Sequence, residues 1–101
     1  IGRWFPPSDE RWKDADSSIF LKFANDKMYQ EGYSISNIDL TIICEQPKIN
    51  QYSEKMKKWL KKILKLDLDT INIKATTTES LGFTGRKEGI AVLCTVLLVK
   101  L

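Results

Sequence analysis

The stretch Ile38-Asp39-Leu40-Thr41-Ile42-Ile43-Cys44 decides the fold, because it is a β-rich run that lies between two segments with helical periodicity. Apolar and polar residues alternate at its start, a pattern typical of a half-buried strand. Two more strands are predicted downstream, at 71–75 and 90–99. Because strands separated by helices form a layered sheet, we expect the helices to lie on one face of it. The chain offers no second layer for the other face, so a subunit interface is predicted there.

Helices are predicted on both sides of this central run. Asp16 or Ser17 can cap a helix that runs to about Glu31, and Gly32 is a natural stop. A second helix is predicted over 52–64, where apolar residues form one stripe at helical spacing: Met56, Trp59, Leu60, Ile63 and Leu64. Residues 1–15 and 76–89 are predicted to be loops, because they are rich in proline, glycine and polar side chains.

Composition limits the class of protein. The chain has 101 residues with 43% hydrophobic and 29% charged residues, which indicates a single globular domain. No apolar run approaches the roughly 20 residues that a membrane span needs. The sequence has no histidine, which excludes a Ser-His-Asp triad, a Cys-His pair and a histidine metal site within this chain. Cys44 and Cys94 lie in apolar runs, so buried free thiols are favoured over a disulfide.

Positive charge is concentrated on the second predicted helix. The net charge is +3, and six lysines fall between positions 55 and 65. Such a face can bind nucleic acid or an anionic membrane, but it is more often a solvated surface. We favour the solvated surface because the lysines lack interleaved aromatic side chains, and we expect no nucleic-acid or membrane partner.

Residues 74–86, Lys-Ala-Thr-Thr-Thr-Glu-Ser-Leu-Gly-Phe-Thr-Gly-Arg, form the segment best suited to chemistry. Hydroxyls and loop amides can donate to phosphate oxygens, Glu79 can hold a hard divalent cation, and Arg86 can pair with an anion. The alternative is a strand end rich in β-formers, with Gly82 and Gly85 serving turns. The spacing by itself does not decide between these two interpretations.

This segment resembles the signature of the 2-C-methyl-D-erythritol 2,4-cyclodiphosphate synthase family. Other blocks match too: Ile1-Gly2 with Phe5-Pro6, Ala15-Asp16-Ser17, Asn37 to Ile43, and Gln46-Pro47-Lys48. The resemblance spans almost the whole chain. It implies an α+β fold with a mixed sheet, and a homotrimer whose sheets pack around a central cavity with active sites between subunits. It also implies an enzyme that converts 4-diphosphocytidyl-2-C-methyl-D-erythritol 2-phosphate to the cyclodiphosphate and releases CMP.

The resemblance implies roles for particular residues. Thr77 is the expected catalytic donor to the diphosphate, and Glu79 the expected ligand of magnesium or manganese. Gly2, Phe5 and Asp9 would hold the methylerythritol phosphate. The cytidine pocket would comprise Cys44 to Asn50, including Lys48 and Ile49, with Ala75, Thr76 and Thr77. Phe83 and Arg86 would lie near the substrate and the trimer core.

Several departures from the family pattern stand out. Pro7, Ser8 and Cys44 replace residues that are usual in the family. The family's zinc ligands, an Asp-x-His and a later His, have no counterpart in this chain, so residues 1–101 are expected to be the C-terminal two-thirds of the domain. The alternatives are a catalytically silent fragment that binds cytidine nucleotide and a basic interaction module. The expected compartment is the bacterial cytoplasm or, in a eukaryote, a plastid-type organelle such as the apicoplast.

Overall fold

The computed structural model describes residues 1–101. Its helices are α1 (Ser17–Gln30), α2 (Ser53–Leu64) and the single turn α3 (Gly82–Gly85). Its strands are β1 (Tyr33–Ile43), β2 (Ile71–Thr76) and β3 (Ala91–Lys100). Short 3₁₀ turns cover Glu10–Trp12, Ile49–Gln51 and Leu68–Thr70. The predicted order of helix, strand, helix, strand and strand is therefore confirmed.

The strands form one mixed sheet in the order β2-β1-β3. β1 pairs with β2 in parallel, with Ile43 opposite Thr76, and with β3 antiparallel, with Ile43 opposite Ala91. Parallel pairing brings the carboxyl ends of β1 and β2 to the same edge of the sheet. The segments that follow Ile43 and Thr76 are thereby placed side by side.

The helix boundaries follow from local chemistry. Asp16 caps α1 by accepting a hydrogen bond from the Ser18 amide at 2.8 Å. The chain leaves α1 at Gly32, whose φ of +88° suits glycine. α2 ends at Lys65 in the left-handed conformation, and its backbone N–H bonds the Lys61 carbonyl. Both predicted helices are confirmed to within a residue or two.

Both predicted loops contain regular structure, and the central strand is longer than predicted. The segment 76–89 contains α3, and residues 1–15 contain the turn Glu10–Trp12. β1 begins at Tyr33 rather than Ile38, because an irregularity between Ile35 and Asn37 lets its first residues still pair with the end of β3. That shift breaks the strict alternation that the sequence pattern relies on.

The helices cover one face of the sheet, as predicted. Ile38, Ile42 and Ile71 point to this face and are at most 6% exposed. Both helices contribute to one apolar groove over it, through Leu21 of α1 and Leu64 of α2. The opposite face carries Asp39, hydrogen-bonded to Asn72 and Lys74, and the exposed side chains of β3, Leu93 and Leu97. The architecture is thus α+β with one sheet face open.

The cysteine prediction is half right. Both thiols are free, and Cys44 is buried, but Cys94 is exposed. Cys94 lies on the edge strand β3, whereas the helices pack chiefly over β1 and β2. Partial burial, and the nearby Asp39 carboxylate, raise the pKa of the Cys94 thiol.

As for membranes, every helix falls short of the length and apolarity that a span requires.

Candidate active site

A cleft of about 160 Å³ opens where the carboxyl ends of β1 and β2 meet. The Cys44 amide extends the ladder past β1 by donating to the Thr76 carbonyl at 3.1 Å. The cleft lining comprises seven of the predicted site residues, namely Cys44, Lys48, Ile49, Asn50, Ala75, Thr76 and Thr77, together with Glu45 and Pro47. The structure therefore brings together two sequence segments, 44–50 and 75–77, that the resemblance assigned to one pocket.

The floor of the cleft is the main buried cluster of the protein. Ile42, Cys44 and Ile49 pack together, with Met56 of α2 and Ile73 of β2 against them. The Cys44 thiol lies 3.6 Å from the Pro47 carbonyl oxygen, across the loop that follows β1. Because this loop is anchored by a buried side chain at each end, its backbone groups are presented to the cleft in a fixed arrangement.

One wall continues into the segment Thr77–Leu81, called here the phosphate turn after the role that the sequence resemblance implies for Thr77. The Thr77 hydroxyl lies 3.3 Å from the Glu79 carboxylate and also accepts a hydrogen bond from the Glu79 amide at 3.3 Å. Glu79 and Ser80 adopt φ values of +53° and +68°, which is uncommon for residues with side chains. Such strain persists only where surrounding contacts hold it, and it is concentrated at functional sites.

The phosphate turn is held by a hydrogen bond within it and by contacts with α3. The Thr78 hydroxyl donates to the Leu81 carbonyl and lies 2.9 Å from the hydroxyl of Thr84, which is buried. A Cβ added to Gly85 would overlap the Ser80 backbone, 2.8 Å from its Cα. Gly82 has a φ of +70°. The prediction that Gly82 and Gly85 serve turns does not exclude a binding site here, because those turns determine the shape of the phosphate turn.

Glu45 lies within the stretch 44–50 that was expected to form the cytidine pocket, but its contact with the phosphate turn was not predicted. Its Oε1 accepts a hydrogen bond from the Ser80 amide at 3.2 Å, which links the loop after β1 to the phosphate turn. The two residues are 35 positions apart, and only the parallel pairing of β1 with β2 brings them together. No local spacing in the sequence contains this information.

Phe83 and Arg86 do not line the cleft. Arg86 instead pairs with Glu88, with 2.7 Å between Nε and Oε1. The Phe83 ring packs beside Gly89, so close that a Cβ at Gly89 would lie 3.3 Å from it. About half of Phe83 is exposed. Within one chain these residues therefore lie outside the cleft.

Gly2, Phe5 and Asp9 also lie outside the cleft lining, in the N-terminal loop (residues 1–15). Phe5 makes edge-on contacts with Trp12, Phe20 and Phe23, with ring centroids 4.8–4.9 Å apart. Asp9 accepts hydrogen bonds from the Arg11 guanidinium and the Arg11 amide. These bonds hold the pKa of the Asp9 carboxyl below its usual value. The structure thus shows an aromatic anchor and an ion pair in this loop.

The residues fit magnesium and do not fit zinc. Magnesium is commonly held by one or two carboxylates together with substrate phosphates, and Glu79, exposed beside the cleft wall, supplies one such carboxylate. Zinc needs three or four protein ligands, and nowhere in the structure do three cysteine, aspartate or glutamate side chains converge.

Comparisons with known proteins agree on the family. A bifunctional enzyme IspD/IspF of Wolbachia pipientis wMel is 56% identical over 97% of this chain and 25% of its own length. A 2-C-methyl-D-erythritol 2,4-cyclodiphosphate synthase of Xanthomonas oryzae pv. oryzae is 50% identical over 97% of this chain and 60% of its own length. The solved IspF of Plasmodium falciparum in complex with CDP aligns with a TM-score of 0.86 at 32% identity, over 99% of this chain and 59% of its own. The chain thus spans only part of each relative. The YgbB family model matches residues 1–99, and the chain belongs to the YgbB family.

Proposed function

We propose that the protein is a 2-C-methyl-D-erythritol 2,4-cyclodiphosphate synthase of non-mevalonate isoprenoid synthesis. The relatives' names support this activity, as does the CDP complex of the Plasmodium falciparum structure. The observation that carries the proposal is the cleft, in which the loop 44–50 and the hydroxyl of Thr77 line one cavity beside Glu79. A nucleoside diphosphate needs such an arrangement, because its base and its phosphates must be held at once.

The reaction is an intramolecular phosphoryl transfer. An oxygen of the substrate's 2-phosphate forms a bond to the β-phosphorus, and the bond from that phosphorus to the bridging oxygen breaks. CMP leaves with the bridging oxygen and the electron pair. No protein nucleophile is needed, because positioning and charge stabilisation dominate such reactions. This agrees with a site built from threonines, backbone amides and two carboxylates, those of Glu45 and Glu79.

Roles within the site follow from position. The backbone of 44–50 and the side chain of Lys48 would hold the cytidine half, with Ala75 and Thr76 completing the wall. Thr77 would donate to the diphosphate from the end of a strand, a rigid support. Glu79 would ligate magnesium or manganese, which when bound neutralises charge on the diphosphate. Zinc would be held by residues outside this chain.

We also propose a homotrimer with active sites between subunits, around a central cavity. The open sheet face, with Leu93 and Leu97 exposed, supports burial against another copy. In that assembly Gly2, Phe5 and Asp9, which do not line their own chain's cleft, would hold the methylerythritol phosphate of a site between subunits. Phe83 and Arg86 would lie near the trimer core. The residues described would then be the C-terminal two-thirds of each domain.

The compartment follows from the proposed pathway. It would be the bacterial cytoplasm, or a plastid-type organelle in a eukaryote. The bacterial sources of the two sequence relatives support the first alternative, and the Plasmodium structure is compatible with the second.

The direct test measures CMP release from the diphosphocytidyl substrate by the protein as its gene encodes it, with sedimentation to determine the assembly. We expect CMP and the cyclic diphosphate in equal amounts from a trimer. Cytidine nucleotide binding without CMP release would instead identify a silent nucleotide-binding protein.

A further inference from the structure

We propose that Glu45 is a positioning residue that couples nucleotide binding to metal binding. Its carboxylate fixes the phosphate turn against the loop that would hold the base. The inference rests on the proposed function, which places the backbone of 44–50 on the cytidine but gives the Glu45 side chain no role.

The first argument is the strain of the phosphate turn. Consecutive positive φ values at Glu79 and Ser80 are unfavourable for residues with a Cβ. One side of the turn is held by the contact of the Thr78 hydroxyl with the Thr84 hydroxyl of α3. On the side facing the cleft, the hydrogen bond from the Ser80 amide to Glu45 Oε1, 3.2 Å, ties the turn to the loop that follows β1. A charged acceptor makes this bond stronger than a neutral one.

The second argument is the position of Glu45 in the chain. It follows Cys44, which is 5% exposed and fixed in the main buried cluster, and it lines the same cleft as Lys48 and Thr77. A bond from Glu45 to Ser80 therefore ties the phosphate turn to a rigid support. Without it, the Glu79 carboxylate is positioned only through Thr77 and α3, and it is held less firmly relative to the base pocket.

The consequence is thermodynamic. A divalent cation that binds both Glu79 and a diphosphate raises the affinity for the nucleotide, and by reciprocity the nucleotide raises the affinity for the cation. The size of this coupling depends on how well the turn is placed before binding. Glu45 should therefore affect the coupling more than it affects binding of the base alone.

The experiment measures the affinity for CDP and for cytidine by titration calorimetry, with and without Mn²⁺, in the protein as its gene encodes it. We expect Mn²⁺ to raise CDP affinity in the wild type. Glu45→Ala should lose most of this gain, by about tenfold for one lost charge-assisted hydrogen bond, while its affinity for cytidine changes less than the coupling does. Glu45→Gln retains an acceptor oxygen and should recover much of the gain. Glu54→Ala, which removes an exposed carboxylate on α2, is the matched control and should behave as wild type.

Folding defects are controlled by Glu45→Met, which keeps the side-chain length but removes the acceptor and should behave as Glu45→Ala does. Loss of coupling in the alanine and methionine variants, with recovery in glutamine, supports the inference. Full coupling in either folded variant that lacks the acceptor overturns it and leaves the proposed function intact. A wild-type protein that binds no cytidine nucleotide overturns the proposed function and this inference together.

Discussion

The phosphate turn and the N-terminal loop are both expected to contact substrate, yet different forces hold them. The phosphate turn is held by hydrogen bonds among Thr77, Thr78, Glu79 and Thr84. The N-terminal loop is held by aromatic packing around Phe5. Hydrogen bonds fix the direction of polar groups, as a charged ligand requires, whereas packing fixes mainly the position of a segment. Substitutions in the turn should therefore affect chemistry, and those in the loop should affect stability.

The largest effect is expected at Thr77. Removing one preorganised donor at a developing charge costs roughly 10²–10³ in turnover, so Thr77→Ala should lose CMP release on that scale. Cytidine binding should change little, because it rests mainly on 44–50. Thr77→Ser keeps the hydroxyl and is the control. Normal CMP release by folded Thr77→Ala would contradict the proposed contrast between the phosphate turn and the N-terminal loop.

Glu79→Gln should lose activity in a way that differs from Thr77→Ala. An amide is a weaker ligand for a hard cation, so raising magnesium or manganese should restore part of the lost CMP release. The metal should not rescue Thr77→Ala, because that variant lacks a donor rather than a ligand. Equal rescue of both variants, or of neither, would remove the distinction between the two roles.

Phe5→Ala tests the other region. Truncating a core phenylalanine costs about 3–5 kcal/mol, and because Phe5 is only partly buried we expect a loss nearer 2 kcal/mol in the free energy of unfolding. Trp4→Ala is the matched control, because Trp4 contacts Phe23 alone among the aromatic rings and is half exposed. Urea denaturation measures the free energy of unfolding of both variants. A Phe5→Ala protein of normal stability that had lost CMP release would assign Phe5 to the chemistry instead.

Asp9→Asn should have a smaller effect that depends on pH. The Arg11 hydrogen bonds lower the pKa of Asp9 in the folded state, so the carboxylate stabilises the protein above its unfolded pKa of about 3.9. That contribution is lost as the pH falls through the lowered folded value. Asparagine can still cap the turn Glu10–Trp12, so the comparison isolates the charge. The stability difference from wild type should shrink in acid, and growth of that difference on acidification would contradict the prediction.

The two regions also differ in how far the sequence predicts them. Element order and the helix caps are readable because they depend on neighbouring residues, as at Asp16 and Gly32. The cleft is recognised through a motif, since its two segments meet only through the parallel pairing of β1 and β2. The contact of Glu45 with Ser80 and that of Thr84 with Thr78 escaped prediction, because the first depends on tertiary structure and the second on an unexpected helical turn. A local sequence pattern therefore predicts a feature well only when the contacts that determine that feature are also close in the sequence.

The smallest effect is expected on α2, which belongs to neither region. Lys58, Lys61 and Lys62 are exposed, whereas Lys57 is partly covered and lies 4.0 Å from Glu54. Reversing the three exposed charges to glutamate should change stability by about 0.5 kcal/mol or less per site and leave CMP release unchanged, because none of these side chains reaches the cleft. The same variant tests whether this face binds nucleic acid, since retention on DNA at physiological salt would then fall sharply. A steep loss of CMP release by a folded variant would show instead that the lysine face takes part in the function.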